Sequence, residues 1–340
     1  MKKKLYVISS EKIFLKDENF FCDNLDMKTT PEGLNRYFDV KIIGKKSNIS
    51  KAHKIQLKSI RIFSNLFTYI LRIISSSNKN NSNFLIISLS PYTFIACILL
   101  KILGQKPYVY LRSNGYDEYK IILGPLGTLV YHFMFTVTSK ISNLISCRKY
   151  ILMNKNGYIV TPSQIDNNWK KNLITADITK KNLIYVGRIR KEKGIYSLIE
   201  LIKDETDINL TIIGADKSTD KITGKNIKIV DIINNQKELI NVYDQNNILI
   251  LPSFTEGYPM VILEALSRMR PVIIFNEISH VADDRKGIFV AERNRSSLVK
   301  TIDHIINNYE QIQKKMASNQ IPYNENFINQ IKEIIEKNSQ

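Results

Sequence analysis

The sequence predicts an α/β protein of two domains, each a parallel sheet covered by helices. Three observations carry that expectation. Short apolar runs alternate with helical stretches along the chain, the order that builds parallel sheets. Two of the strand-to-helix units bear charged residues at their turns. The chain has 340 residues, 44% of them hydrophobic, more than one core usually supports.

Taken in order, Leu5–Ser9 reads as the first strand, because Glu11, Lys12 and Lys16 end an apolar run too short for a secretory signal. Val40–Ile43 is a second strand. Between Lys51 and Ile74, Leu57, Ile60, Phe63, Leu66, Phe67, Ile70, Leu71 and Ile74 form a wide apolar stripe edged by Lys51, Lys54, Lys58, Arg61 and Arg72. This predicts an amphipathic helix, followed by a polar loop at Ser75–Ser82. Phe84–Leu103 is about long enough to span a membrane, but Pro91 interrupts it and Lys101 ends it. It divides into a strand, Phe84–Leu89, and a helix, Tyr92–Leu103. Tyr108–Arg112 is a strand. Ile121–Val137 contains Gly124, Pro125, Gly127 and His132, and predicts a loop and an apolar helix that dips into a membrane interface rather than spanning it. Tyr158–Thr161 is the last strand of a first domain over residues 1–166. Residues 167–181 are polar without apolar periodicity and are expected to be a linker.

The second domain, residues 182–322, opens with a strand, a turn at Gly187, and a helix periodic at Ile195, Leu198, Ile199 and Ile202. Gly187 lets the backbone approach a ligand closely. Arg188 offers a fork and Lys193 a point charge to phosphate oxygens, contacts worth roughly 1.5–3 kcal/mol each. Leu210–Gly214 and Ile227–Asp231 are strands, Glu238–Asp244 a helix and Ile248–Leu251 a buried strand. A turn holding Glu256, Gly257 and Tyr258 leads to a helix over Met260–Met269, with Pro259 at its first position and Glu264 in its second turn. Both carboxylates then lie at the edge where open α/β sheets bind ligands. Strands at Pro271–Phe275 and Gly287–Val290 flank a loop with His280, Asp283 and Asp284. Phe327–Lys337 is a final helix within residues 323–340. Read separately, the two turns are also compatible with a solvated basic rim and a surface-helix glutamate.

Gly187-Arg188-x4-Lys193-Gly194 and Glu256-x7-Glu264 together resemble the signature of retaining nucleotide-sugar glycosyltransferases of the family 4 type, the glycosyl transferases group 1, from about Leu183 to Val290. The resemblance implies a GT-B fold, two Rossmann-like β/α/β domains facing across a cleft, with the final helix crossing back to the first domain. It implies that a nucleoside-diphosphate sugar is the donor, its diphosphate against Arg188, Lys193 and the N-terminus of the Glu264 helix, with the backbone of Gly187 close to it. Glu264 is expected to accept from the ribose hydroxyls; Glu256, with the amides of Gly257 and Tyr258, is expected to hold the sugar. Gly214, Ile232 and Ile233 are expected near the nucleobase. Arg188, Lys193 and Glu256 are the catalytic candidates, because charge grows on the leaving phosphate as the glycosidic bond breaks. The family retains anomeric configuration by front-face attack. No Asp-x-Asp occurs, so the basic pair is expected to do a metal's work, with no cofactor.

The chain also departs from the family. Ser9-Ser10-Glu11 stands where many members have a Gly-Gly loop. No histidine occupies the element Arg112-Ser-Asn114-Gly115, where Arg112 or Asn114 stands in. Met269 replaces a glycine at the end of the Glu264 helix, at a cost of roughly 1 kcal/mol if that position is left-handed.

Charge is uneven. Residues 1–150 carry 23 Lys/Arg against 9 Asp/Glu, residues 151–340 carry 26 against 23, and no acidic residue lies between Val40 and Tyr116. Such a surface suits anionic lipid. Nucleic acid is not an expected partner, since no helix-turn-helix, RNP or zinc pattern is present. Cys22, Cys97 and Cys147 have no ligand or disulfide-framework spacing, as in a reducing compartment. With the resemblance, these features suggest a glycan or polyprenyl-linked glycolipid acceptor at the inner face of the plasma membrane, in bacterial surface-polysaccharide (O-antigen, capsule or lipopolysaccharide) synthesis. Two other readings stay open. One is a glycosyltransferase-like partner subunit without turnover, which binds acceptor or protein. The other is a GT-B sugar-nucleotide epimerase, a class lacking this motif combination.

Overall fold

The chain divides into two units by internal contact, Met1–Pro162 with Glu325–Gln340, and Ser163–Asn324. The computed structural model describes residues 2–77, 82–215 and 224–337, and the strands and helices below are those among these residues. Residues 78–81 of the expected Ser75–Ser82 loop and the last three residues of the chain lie outside them.

The first unit begins with β1 (Lys4–Lys16), β2 (Asn19–Cys22), α1 (Asp26–Leu34) and β3 (Asp39–Ser47). It continues through β4 (His53–Ile55), β5 (Ile60–Phe63), α2 (Leu66–Ser77), β6 (Ser82–Ile87), α3 (Pro91–Ile102), β7 (Tyr108–Leu111), α4 (Gly115–Ile141), β8 (Asn143–Ser146) and β9 (Gly157–Ile159). β5, β3, β1, β6, β7, β8 and β9 pair in that order, all parallel, and the short strands β2 and β4 add antiparallel pairings at the far end of β1.

Two expectations fail here. The predicted helix over Lys51–Ile74 starts only at Leu66; its first half forms β4 and β5. The alternating β-branched run Ile60-Arg-Ile-Phe63 completes the edge of β3, and open ladder groups outweigh the helical spacing of the same residues. Nor does β1 stop at Ser9. It runs on past an irregularity between Ile8 and Lys12 and folds into a hairpin with β2, so no strand-to-helix turn exists at Ser9-Ser10-Glu11.

The second unit contains β10 (Lys181–Val186), α5 (Ile195–Ile202), β11 (Ile208–Ala215), β12 (Ile227–Asp231), α6 (Gln236–Asp244), β13 (Ile248–Leu251), α7 (Met260–Ser267), β14 (Val272–Phe275), β15 (Ile288–Ala291), α8 (Arg295–Asn307) and α9 (Tyr309–Met316). Its six strands are parallel in the order β12-β11-β10-β13-β14-β15. The order reverses between β10 and β13, the topological switch point at which doubly wound sheets open a crevice.

Residues 167–181 are not a free linker. Trp169 is 2% exposed within the core of the second unit, edge-on to Tyr243 at 5.6 Å. The buried Arg268 binds both oxygens of Asp244 (2.9 and 2.7 Å) and donates to the carbonyls of Trp169, Lys171 and Asn172. Arg270 donates to the carbonyl of Ile174. Lacking apolar periodicity, the segment is held through its backbone by two buried guanidinium groups.

The last helix, α10 (Asn324–Lys337), packs in the first unit. Phe327, Ile328, Ile331 and Ile335 join the cluster of Leu5, Val7, Leu85 and Tyr110. Tyr37 donates to Asn329 (2.9 Å), and the Thr161 N–H donates to the Gln330 side chain (2.8 Å).

Candidate functional site

β10 and β13 are hydrogen-bonded neighbours, so the turns leaving their C-terminal ends lie side by side. In the first turn the Gly187 N–H donates to the Ile213 carbonyl (2.9 Å). A Cβ at Gly214 would fall 2.4 Å from the Gly187 carbonyl oxygen, so that glycine lets the ends of β10 and β11 touch. The Tyr185 hydroxyl donates to the Arg188 carbonyl at 2.8 Å, fixing the turn and leaving the Arg188 side chain exposed.

The turn closes through Lys193 to Gly194, at φ 68°. A Cβ there would lie 1.9 Å from the Pro252 carbonyl oxygen. Only glycine fits where the second turn crosses the first. The Phe254 N–H donates to the Glu192 carbonyl (2.9 Å), joining the two turns by backbone as well.

Lys193 and Glu256 meet at this crossing. Lys193 Nζ lies 2.7 Å from Glu256 Oε1, which also accepts from Ser253 Oγ at 2.7 Å. An ammonium has three N–H donors, so with one on Glu256 two remain for phosphate oxygens. His280 Nε2 is 2.9 Å from the Glu256 carbonyl oxygen, holding the loop by its backbone. Tyr258 receives the Arg285 guanidinium on its hydroxyl (3.0 Å), and Gly257 is buried beside it.

Glu264 occupies a different environment. It lies in the second turn of α7, 7% exposed, and its Oε2 accepts from the Tyr243 hydroxyl at 2.7 Å. Burial pushes the carboxyl up to about 7, against a smaller downward pull from the Tyr243 hydrogen bond. Pro259 is one position earlier than expected, at the helix N-cap rather than inside it. Ile232 is exposed just beyond the edge strand β12, two strands from β10, with Ile233 half-buried next to it.

The proposed stand-ins for the family histidine are engaged within the first unit. Arg112 Nη2 is 2.6 Å from Asp26 Oδ2. The Asn114 side chain caps α4, accepting from the Tyr116 N–H and donating to Asp117.

Three residues not singled out from the sequence shape the site: Tyr243, Ser253 and Arg293. The Arg293 guanidinium stacks on Phe254 (4.1 Å) and Phe275 (4.4 Å), pairs with Glu277 (2.6 Å) and donates to the Ser253 carbonyl. Ser253, three residues before Glu256, carried a local signal as a hydroxyl in the turn. Tyr243 and Arg293 reach the site only through packing of distant segments.

Residues 168–325 match the model of the family described as glycosyl transferases group 1. The match includes both turns and bears out the resemblance read from them. An uncharacterized glycosyltransferase of Haemophilus influenzae is 27% identical over 198 residues, 54% of this chain and 56% of that protein. The capsular polysaccharide biosynthesis glycosyltransferase CapM of Staphylococcus aureus is 27% identical over 184 residues, 49% of this chain and 48% of that protein. The chain thus spans about half the length of these curated relatives. Anabaena HepE, solved in complex with UDP and glucose, superposes with a TM-score of 0.71 at 13% identity, covering 99% of this chain and all of that one. At that identity the likeness speaks for the fold, which is GT-B.

Proposed function

We propose that this chain, whose residues 168–325 match the model of the glycosyl transferases group 1, moves a sugar, with retention of configuration and without a metal, from a nucleoside-diphosphate donor to a glycan or lipid-linked glycan in bacterial surface-polysaccharide synthesis. The observation that carries the reading is the crossing of two turns at the switch point, where Lys193, Glu256 and the exposed Arg188 share one sheet edge. The relative CapM supports the polysaccharide setting, and the UDP in HepE supports the donor class.

In this reading the donor diphosphate lies against Arg188, the two remaining N–H groups of Lys193 and the N-terminus of α7. Glu256 holds the sugar hydroxyls, and its tie to Lys193 sets the spacing between sugar and phosphate. As the glycosidic bond breaks, negative charge on the leaving phosphate strengthens its contacts with Arg188 and Lys193. The stabilisation therefore grows toward the transition state. Front-face attack lets the leaving phosphate take the acceptor's proton. Glu264 accepts from the ribose, held in place by Tyr243. The basic charge of the first 150 residues, 23 Lys/Arg against 9 Asp/Glu, supports acceptor chemistry at the inner face of the plasma membrane.

A second reading, a partner subunit without turnover, draws on the first unit, where the β1–β2 hairpin, Arg112 and Asn114 are committed to structure. Calorimetric titration of UDP, GDP and ADP in EDTA tests the donor site. Selective binding of one nucleotide, weakened about 10-fold or more in Arg188→Ala, is expected from the loss of a roughly 1.5–3 kcal/mol contact. A folded wild type that binds none overturns the donor site. Donor binding without hydrolysis or transfer to any glycan favours the second reading.

A further inference from the structure

We propose that the tip of α4 is a membrane anchor: a folded-back helical hairpin that seats its apolar end in the headgroup–acyl boundary of an anionic bilayer. This deepens the lipid-linked-acceptor side of the reading above, but it stands on separate observations.

By length and hydropathy, Gly115–Ile141 qualifies as a membrane span. Its geometry argues otherwise. Gly124 breaks the helix at φ 66°, ψ −155°, and Pro125 follows. Beyond the break the chain doubles back. A Cβ on Gly127 would lie 2.1 Å from the Tyr119 carbonyl oxygen, and one on Gly115 would lie 2.0 Å from the Tyr131 ring. Tyr116 meets Tyr131 (4.9 Å between ring centres), and its hydroxyl lies 2.9 Å from His132 Nδ1. These pairs are those of two antiparallel arms. At about 1.5 Å per residue the longer arm, from Pro125 onward, measures roughly 25 Å, short of the roughly 30 Å hydrocarbon core.

The arms bury their tyrosines against each other and leave the tip bare. Ile122 is 71% exposed and Leu126 and Leu129 each 67%, with Ile121, Leu123 and Val130 also uncovered; Phe133, nearer the base, is 62% exposed. Phe133 meets Phe94 in the first turn of α3 (5.7 Å), which places the hairpin beside the start of that helix. Tyr92, also there, packs on Phe63 and Tyr69 at the start of α2. Leu66 and Phe67, 44% and 71% exposed, open α2 at that same sheet edge. So large a concentration of exposed apolar side chains marks an interaction surface.

Charge selects the occupant. Residues 41–165 contain 17 Lys/Arg and only two Asp/Glu, Asp117 and Glu118 at the base of the shorter arm. Lys120 is exposed directly before the tip, and Lys45 lies over the Tyr92 ring (4.7 Å). An apolar tip in a basic field matches anionic lipid, while a second copy would bring like charges together. The irregular backbone at Gly124 limits depth, since unpaired peptide groups are not tolerated in hydrocarbon. The hairpin therefore seats at the interface.

Sedimentation with vesicles tests this on the full chain. Wild type is expected to pellet with phosphatidylcholine vesicles containing 30% phosphatidylglycerol, and much less with phosphatidylcholine alone. Leu126→Glu/Leu129→Glu, at two exposed positions, is expected to lower the partition coefficient at least 10-fold with an unchanged circular dichroism melt. If that variant melts early, the milder Leu126→Ser/Leu129→Ser takes its place. Equal binding by wild type and a folded variant, or no wild-type binding, overturns the anchor. A lipid-free dimer by light scattering that the variant abolishes, with no vesicle binding, would assign the tip to self-association instead. Nucleotide calorimetry on the same samples keeps the two proposals apart, because failure of donor binding leaves vesicle binding unaffected.

Discussion

Gly194 and Glu264 illustrate how single positions constrain this site. Placing a Cβ 1.9 Å from the Pro252 oxygen forces the two turns apart, so Gly194→Ala is expected to weaken donor binding at least 10-fold and to lower the melting temperature; calorimetry and a thermal melt read both effects. Glu264 carries a pH signature. Its folded-state value, raised to about 7 from 4.5, means that the folded state binds the proton more tightly. The resulting stability is present in full below about pH 4.5 and is lost as pH rises through 7. Glu264→Gln is expected to flatten that decline, seen as melting temperatures that fall less between pH 5 and 8. Tyr243→Phe leaves the buried carboxyl without its hydroxyl and should cost about 1–3 kcal/mol, measurable by urea unfolding. Met269, at φ 56°, occupies the left-handed position at which the family's glycine is replaced. The motif glutamates, Arg188 and Lys193 were legible in sequence because they are local to their turns. Tyr243 and Arg293 were not, because a hydrogen bond between residues 21 apart leaves no periodic trace.

At the scale of elements, short apolar runs were the most legible. Ile248–Leu251, buried along its whole length, has the bounds read from its apolar run, and such runs have few alternatives; the edge strand Ile227–Asp231 also has the bounds read for it, although none of its residues is buried. The segment from Lys51 to Phe63 was misread because β-branched residues at suitable spacing satisfy both a helical stripe and an edge strand, and only the free edge of β3 decides between them. The expected linker at residues 167–181 was misread for the opposite reason: it is attached through backbone carbonyls and the isolated side chains of Trp169 and Ala176, which make no periodic pattern. Arg268→Ala removes the clamp and both of its hydrogen bonds to the buried Asp244, leaving that carboxylate only the Arg270 guanidinium at 3.7 Å. We expect a loss of about 3–5 kcal/mol and new tryptic cleavage at Lys170 and Lys171, detected by mass spectrometry of limited digests.

For the whole molecule, connectivity matters as much as motif. The polypeptide passes between the units at Pro162/Ser163 and again at Asn324/Glu325, so the first unit folds with the last segment of the chain. Truncation after Asn324 is expected to destabilise the first unit selectively, because it uncovers Tyr37, Tyr108 and Tyr110. Hydrogen exchange should show lost protection in β1 and β7 while β10 and β13 keep theirs. The sequence by itself determined the α/β class, the basic first half and the two charged turns, since each is written in contiguous residues whose period or spacing has one physical meaning. Tertiary structure alone decided three things: that Lys193 pairs with Glu256 across the switch point, that α4 folds back on itself, and that residues 167–181 belong to the second unit. Each depends on which distant surfaces come together, and that is settled by packing and by the satisfaction of buried polar groups.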